Sequence, residues 1–252
     1  MRSSTVTVSV IMPAHNAEKY IARAIESVLE QQVSLELLVI DDCSTDRTAS
    51  VVEEYSRQEK SPVRLIVNRT KQGVAGARNV GIGQAQGEYI AFLDADDWWE
   101  PDKLKKQLAL MDARHALLCA TGRELMNSDG SPLGRTIGIP EEITYEMMLR
   151  TNVIPCSSVV IKTEVAREFG MCHDELHEDY ILWLSVLKKY GKAYGLNEPL
   201  LKCRLSEGGK SRNKLKSARM QYGVYRYMGF GVAKSLFYFV QYAWNGIRKY
   251  YG

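Results

Sequence analysis

The sequence predicts an α/β fold with a mainly parallel central sheet and a helical C-terminal tail, and three observations carry that expectation. Up to about residue 93, β-branched apolar runs alternate with helical stretches at the spacing of βαβ units. Those runs end in His15-Asn16, Asp41-Asp42 and Asp94-Ala95-Asp96-Asp97, which such a sheet gathers at the carboxyl ends of its strands, where ligands bind. Beyond Arg219 the chain becomes aromatic and basic, without an acid.

The elements follow in order. Thr5 to Met12 reads as a buried strand ended by Pro13, and Ala17 to Gln31 as a helix with Ile21, Ala24, Ile25, Val28 and Leu29 on one face. Leu35 to Ile40 is a second buried strand, after which Ser44 is placed to cap a helix running to about Gln58. Val63 to Val67 is a third strand, Gly76 to Gln84 a short helix, and Tyr89 to Leu93 a fourth strand. The second half is less regular. Pro101 to Ala113 reads as a helix with proline in its first turn, Leu117 to Ala120 as a strand, and residues 127–132 as a turn cluster. Glu141 to Arg150 reads as a helix, Ser157 to Ile161 as a strand and Glu178 to Lys189 as an amphipathic helix, with short strands at Tyr194–Leu196 and Leu200–Arg204.

Composition narrows the class. With 252 residues, 45% hydrophobic and 25% charged, the chain is neither disordered nor fibrous, and its length suits one large domain, alone or with a tail. The net charge of +3 conceals an asymmetry: from Lys202 onward eleven Lys or Arg face one acid, Glu207, whereas the first 201 residues hold 22 bases and 29 acids. Five scattered cysteines without a CxxC pair fit reduced thiols in a cytoplasmic protein, and Cys172, His173 and His177 lack a fourth ligand for zinc. No secretory pattern opens the chain and no run reaches the roughly 18 apolar residues of a spanning helix. Eleven of the 23 aromatic residues lie between Tyr222 and Tyr251. Interleaved with Lys and Arg, they have the composition of a segment in a membrane interface; a helical pair packed on the domain is the other reading.

The acidic strand end carries the chemistry. Three carboxylates within four positions (Asp94, Asp96, Asp97) repel one another and resist desolvation, which a cation relieves. Oxygen ligands of this kind suit magnesium or manganese, which keep part of their coordination for substrate phosphates. A diphosphate held by metal implies a nucleotide leaving group.

Five segments then resemble the family 2 glycosyltransferases, inverting nucleotide-sugar enzymes of the GT-A (Rossmann-like) fold. They are Val8-Ser9-Val10-Ile11-Met12-Pro13-Ala14-His15-Asn16, Val39-Ile40-Asp41-Asp42-Cys43-Ser44-Thr45-Asp46, Gly73-Val74-Ala75-Gly76-Ala77-Arg78-Asn79, Phe92-Leu93-Asp94-Ala95-Asp96-Asp97 and Glu178-Asp179-Tyr180-Ile181-Leu182-Trp183-Leu184. The resemblance spans about Val6 to Leu205, which implies a GT-A domain over residues 1–205 and a basic helical tail over 206–252.

The resemblance implies that Pro13, His15, Asn16, Asp42, Arg78, Asp94 and Ala95 bind a UDP-sugar, Asp42 accepting the uracil N–H. It makes Asp96, with Asp94, the ligands of Mn2+ or Mg2+, and Asp179 the catalytic base, with Glu178 as the alternative. The implied acceptor is a glycan or polyprenyl-linked sugar of bacterial surface polysaccharide, reached by a cytoplasmic enzyme lying on the anionic inner face of the cell membrane. No nucleic acid is expected as a partner. Two departures stand out: Ser206 replaces a family histidine near the diphosphate, for which Lys210 or Arg212 would substitute, and residues 170–175 lack the family's glycine-and-phenylalanine pattern. A nucleotidyltransferase would bring a glycine- and lysine-rich loop after its first strand, absent from Pro13 to Lys19. A silent sugar-nucleotide-binding scaffold would bind donor and release no UDP.

Overall fold

The computed structural model describes residues 6–172, 174–205 and 214–251. Its centre is a ten-stranded sheet of mixed direction. Strands β1 (Val8–Ala14), β2 (Leu35–Asp41), β3 (Val63–Val67) and β4 (Tyr89–Phe92) form a parallel block in the order β3-β2-β1-β4. β1 and β2 are covered on both faces, so nearly every residue in them is buried and they read as unbroken apolar runs. Pro13 lies inside β1 rather than after it, beyond the last β1–β4 pair (Ile11 with Phe92), where its missing N–H costs that pairing nothing.

The remaining strands extend the sheet with mixed polarity. β9 (Val160–Lys162) runs antiparallel to β4 and to β6 (Leu118–Met126). β10 (Lys192–Arg204) runs parallel to β6 and antiparallel to β5 (Trp98–Trp99) and β8 (Glu142–Thr144), while β7 (Pro132–Ile137) pairs with β6. The two short strands expected near the end are therefore one strand, with a register irregularity between Leu196 and Leu201.

Helices α1 (Ile21–Leu29), α2 (Thr48–Ser56) and α3 (Gly73–Gln84) serve the parallel block, followed by α4 (Lys103–Arg114), α5 (Tyr145–Arg150), α6 (Thr163–Phe169) and α7 (Glu178–Tyr190). Several boundaries differ from expectation for physical reasons. α1 starts at Ile21 because residues 16–18 are held by the loop after β2: Ser44 Oγ accepts from Asn16 N at 2.9 Å and Thr48 Oγ1 from Ala17 N at 2.8 Å. Ser44 is thus no helix cap, and Asp46 instead accepts from Thr48 N at 2.9 Å. Residues 142–144, expected in a helix, pair with β10, and Thr144 caps the shortened α5 by accepting from Met147 N. Close approach fixes α3: a Cβ at Gly81 would stand 2.5 Å from Ile11 Cγ2.

The two final helices, α8 (Lys214–Tyr227) and α9 (Val232–Tyr251), are docked on the domain. Val224, Tyr225 and Tyr238 join the main core with Tyr180 and Trp183 of α7, and Tyr225 donates to Leu149 O at 2.7 Å. Among the described residues, no helix is long and apolar enough to cross a membrane.

Candidate active site

The carboxyl ends of β1 and β4 open into a cleft of about 580 Å³. Of the residues singled out from the sequence, Pro13, His15, Asn16, Arg78, Asp94, Ala95, Asp96 and Glu178 line it. Asp42 and Asp179 do not line it. Both stand on segments that bound it, since Asp42 N donates to Ala14 O at 2.8 Å and Asp179 follows Glu178 in the first turn of α7.

Asp42 is almost fully buried at the mouth of α3. Its Oδ1 accepts from Asn68 Nδ2 and Gln72 N and its Oδ2 from Gly73 N, each at 2.8 Å. A carboxylate offers about four lone-pair sites, so one acceptor position on Oδ2 remains for a ligand N–H. Gly73 has φ +75° and a Cβ on it would lie 2.5 Å from Asp174 Oδ2, which makes glycine necessary at this turn. His15 Nε2 lies 2.8 Å from Lys71 Nζ, and because lysine only donates, Nε2 is the acceptor. Asn16, with φ 52°, accepts from Thr45 N at 2.8 Å and so joins the loops after β1 and β2.

Arg78 is the junction of the site. Only 3% exposed, its guanidinium donates from Nη2 to Asp94 Oδ1 at 2.6 Å and from Nη1 to Glu178 Oε1 at 2.9 Å. Burial opposes its charge, but Cys156, Asp94, Glu178 and Asp179 outweigh that and hold its pKa above the ordinary arginine value. One buried cation thereby links the end of β4 to the start of α7, whose Glu178 lies 100 residues after Arg78.

The turn after β4 is braced from two sides. Asp94 N donates to Ser157 Oγ at 3.1 Å, and Asp97 accepts from Arg204 N at 2.9 Å. Arg204 also donates from Nε to Asp96 O at 3.0 Å, with its guanidinium 4.6 Å from the Tyr20 ring. Burial, reinforced by Asp96 and Asp94, pushes the Asp97 carboxyl well above the usual range. Burial is the larger cause and the neighbouring acids add to it; Asp94, Asp96 and Asp97 all line the cleft. Among the described residues, no group of three His, Cys, Asp or Glu is arranged to hold a metal. One or two carboxylates completed by substrate phosphates are nonetheless the usual protein share of a magnesium or manganese site, so Asp94 and Asp96 fit such an ion.

Asp179 is set apart from its neighbour. Glu178 is buried and committed to Arg78, whereas the half-buried Asp179 accepts from Tyr180 N at 2.7 Å. Burial first, then repulsion from Glu178, raises the Asp179 carboxyl to about 6 against the pull of Arg78 and His177. A carboxylate of that pKa accepts a proton more readily than an ordinary aspartate and is still ionised at neutral pH.

Lys71, Ser157 and Arg204 escaped the sequence reading. For Arg204 the signal was available, as the one basic residue closing an expected strand opposite the acidic turn; Lys71 and Ser157 carried none. Ser206, Lys210 and Arg212 lie outside the described residues, as does His173.

The glycosyl transferase family 2 model matches residues 9–163. The chain is 40% identical over 244 residues to the putative teichuronic acid biosynthesis glycosyltransferase TuaG of Bacillus subtilis, covering 96% of each chain. It is 36% identical over 246 residues to the Escherichia coli UDP-Glc:alpha-D-GlcNAc-diphosphoundecaprenol beta-1,3-glucosyltransferase WfgD, covering 96% of this chain and 94% of that one. Among solved structures, TarS residues 1–349 of S. aureus in complex with UDP-GlcNAc superimposes with a TM-score of 0.72 at 22% identity, over 91% of this chain and 69% of that one. The mannosyltransferase PcManGT of Pyrobaculum calidifontis, in complex with GDP-Man and Mn2+, gives 0.66 at 18% identity, over 91% and 66%. These likenesses bear out the mainly parallel GT-A sheet expected from the sequence, and the chain belongs to glycosyl transferase family 2.

Proposed function

We propose that the chain transfers a sugar from a UDP-sugar, with inversion, to a glycan or polyprenyl-linked acceptor in the assembly of a cell-surface polysaccharide. The observation that carries this reading is Arg78, which ties the acidic end of β4 to the acid pair opening α7 across one cleft. Residues 1–205 form the catalytic domain in this reading and 206–252 the tail, of which the described helices α8 and α9 dock upon it. The relatives in surface-polysaccharide assembly, WfgD with its diphosphoundecaprenol-linked acceptor among them, support the substrate class.

Each residue has a task that its surroundings suit. The remaining acceptor position on Asp42 reads the uracil N–H, so a base without that donor leaves that one position unfilled. Pro13, His15, Asn16 and Ala95 wall the nucleotide, and Arg78 offers positive charge beside it. Asp94 and Asp96 would hold Mn2+ or Mg2+, which supplies Lewis-acid neutralisation of charge on the departing diphosphate. Asp179 takes the proton from the acceptor hydroxyl as that oxygen bonds to the anomeric carbon from the side opposite the leaving UDP. Glu178 holds Arg78 in place and leaves the proton to Asp179.

A peripheral position on the anionic inner face of the membrane completes the proposal. Val232, Leu236, Val240 and Trp244, spaced four apart on α9 and joined by Phe237, are each about half exposed or more, while Ser235 and Tyr238 are turned into the protein. From Lys214 to Tyr251 there are seven Lys or Arg and no acid. An apolar stripe on a basic helix suits an anionic lipid interface.

A UDP-release screen across UDP-sugars, with manganese and bacterial lipid extract as acceptor, tests the enzymatic reading. Release with one donor, dependent on extract, is the expected result. Binding of UDP-sugar with no release under any combination would instead favour a silent binding protein.

A further inference from the structure

Between the end of α6 and the first turn of α7 the chain runs from Met171 to Glu178, and α3 holds both ends of that segment. At the α6 end Asn79 pairs with the backbone of the buried Met171 as a neighbouring strand would. Its Nδ2 donates to Met171 O at 2.6 Å and its Oδ1 accepts from Met171 N at 2.8 Å. Gly170, with φ +61°, turns the chain out of α6 and onto Asn79. Asp174 Oδ1 then accepts from Ala75 N at 3.3 Å, one helical turn before Asn79. At the α7 end Glu178 is engaged by Arg78, the neighbour of Asn79, whose Nη1 also lies 3.8 Å from Met171 Sδ.

The same helix holds the carboxylate assigned to the uracil. Gln72 N and Gly73 N, at the mouth of α3, donate to Asp42, and from Gly73 to Asn79 the helix advances about 9 Å. From the other side α8 closes on the segment: a Cβ at Gly223 would stand 2.6 Å from Leu176 Cδ2, and Ser217 Oγ lies 3.5 Å from His177 Nε2. A helix fixed at one point, here by Arg78 on Glu178, is free to swing about that point. A second point at Met171 removes the freedom, and a side-chain amide suits it because donor and acceptor stand side by side.

We infer that Asn79 is a positioning residue for the transfer step: by pairing with the backbone of Met171 it sets the direction in which α7 starts, and so where the Asp179 carboxylate stands toward the acceptor hydroxyl. The inference rests on the glycosyltransferase reading above and adds to it a residue outside the lining of the cleft. Asp42, Asp94 and Asp96 stand on other segments, so donor binding survives the loss of Asn79. Facing Asp179 are Glu178 and His177 on its own segment, Arg78 of α3 and Cys156 ahead of β9. A displaced start of α7 therefore alters the surroundings in which that carboxyl titrates.

The test compares Asn79→Ala with the wild type as the full chain with Mn2+. Calorimetry with UDP gives the affinity and the number of working sites. UDP release with the donor and lipid extract of the screen above, divided by that number, gives transfer per site as a function of pH. UDP affinity should be unchanged, while transfer per site should fall about 10–100-fold. The acid limb of the rate, at about pH 6 in the wild type, should move down toward the ordinary aspartate range as the carboxyl loses its enclosure. A merely structural role would lower the number of sites and leave both the rate per site and the limb in place. Asn79→Asp keeps the acceptor for Met171 N and gives up the donor to Met171 O, so its rate per site should fall between the two. Wild-type transfer per site in Asn79→Ala, an acid limb that stays at about 6, or a UDP affinity that falls in step with the rate would each overturn the inference. Should the wild type bind UDP yet release none with any donor, the glycosyltransferase reading fails instead.

Discussion

Replacing Asp179 with Asn separates catalysis from stability in one substitution. The side chain keeps its shape and an oxygen able to accept from Tyr180 N, but loses its charge and its capacity to take a proton. A rise of the carboxyl from its ordinary 3.8 to about 6 means that the ionised form is disfavoured in the folded protein by at most about 3 kcal/mol. Partial exposure of the group reduces that to about 2 kcal/mol. The sign follows from the raised folded pKa. Well below pH 4 the group is protonated in both states and the cost is absent; it grows as pH rises and is complete above about 6. Asp179→Asn should therefore match the wild-type melting temperature near pH 4 and exceed it at pH 8 by about 4–8 °C. Transfer measured by UDP release should fall about 10²–10⁴-fold with UDP-sugar affinity retained. In the wild type, the rate should fall as pH drops through about 6, as the base becomes protonated. Transfer by the variant at the wild-type rate, or no gain in melting temperature at pH 8, would refute the reasoning.

Three further perturbations address the rest of the site and the tail. Asp96→Ala should abolish manganese-dependent UDP binding, and unchanged affinity by calorimetry with the metal present would reject Asp96 as a ligand. Arg78→Lys leaves one of the two carboxylates at Asp94 and Glu178 without its partner, a loss of about 3 kcal/mol that should lower the melting temperature by about 6–12 °C; an unmoved transition would mean the junction contributes little. Removing the whole tail would also strip Val224, Tyr225 and Tyr238 from the core, so the membrane reading is better tested by Leu236→Asp/Trp244→Asp on the exposed stripe. That variant should melt like the wild type yet stay in the supernatant when anionic vesicles are sedimented, and undiminished pelleting would remove the membrane reading.

The parallel block was legible because its strands are buried on both faces. β1 and β2 can be read from the chain alone since burial there demands an apolar residue at nearly every position. The edge elements lacked that signal. β7 has an exposed pattern and begins at the last residue of what reads as a turn cluster, β5 is two residues long, and α6 has no repeat long enough to declare itself. Residues 142–144 show tertiary pairing with β10 overriding a local helical preference.

What the sequence alone determined about this protein is where its acids and its leading polar residues fall. A strand that must end in solvent places its terminal residues at the sheet edge, so Asn16, Asp42, Asp94 and Asp96 are located by local chain logic. What only the tertiary structure decided is the division of labour between them. Glu178 and Asp179 are adjacent and chemically alike, and nothing local distinguishes them; the buried Arg78 engages Glu178, while burial and the neighbouring Glu178 give Asp179 a raised affinity for protons. Arg204 bracing Asp96 and α8 meeting the approach to α7 are likewise contacts between distant parts of the chain, formed by packing and not by any local pattern. Periodicity reports which face of an element is buried, whereas a side chain's partner depends on which other element is packed there.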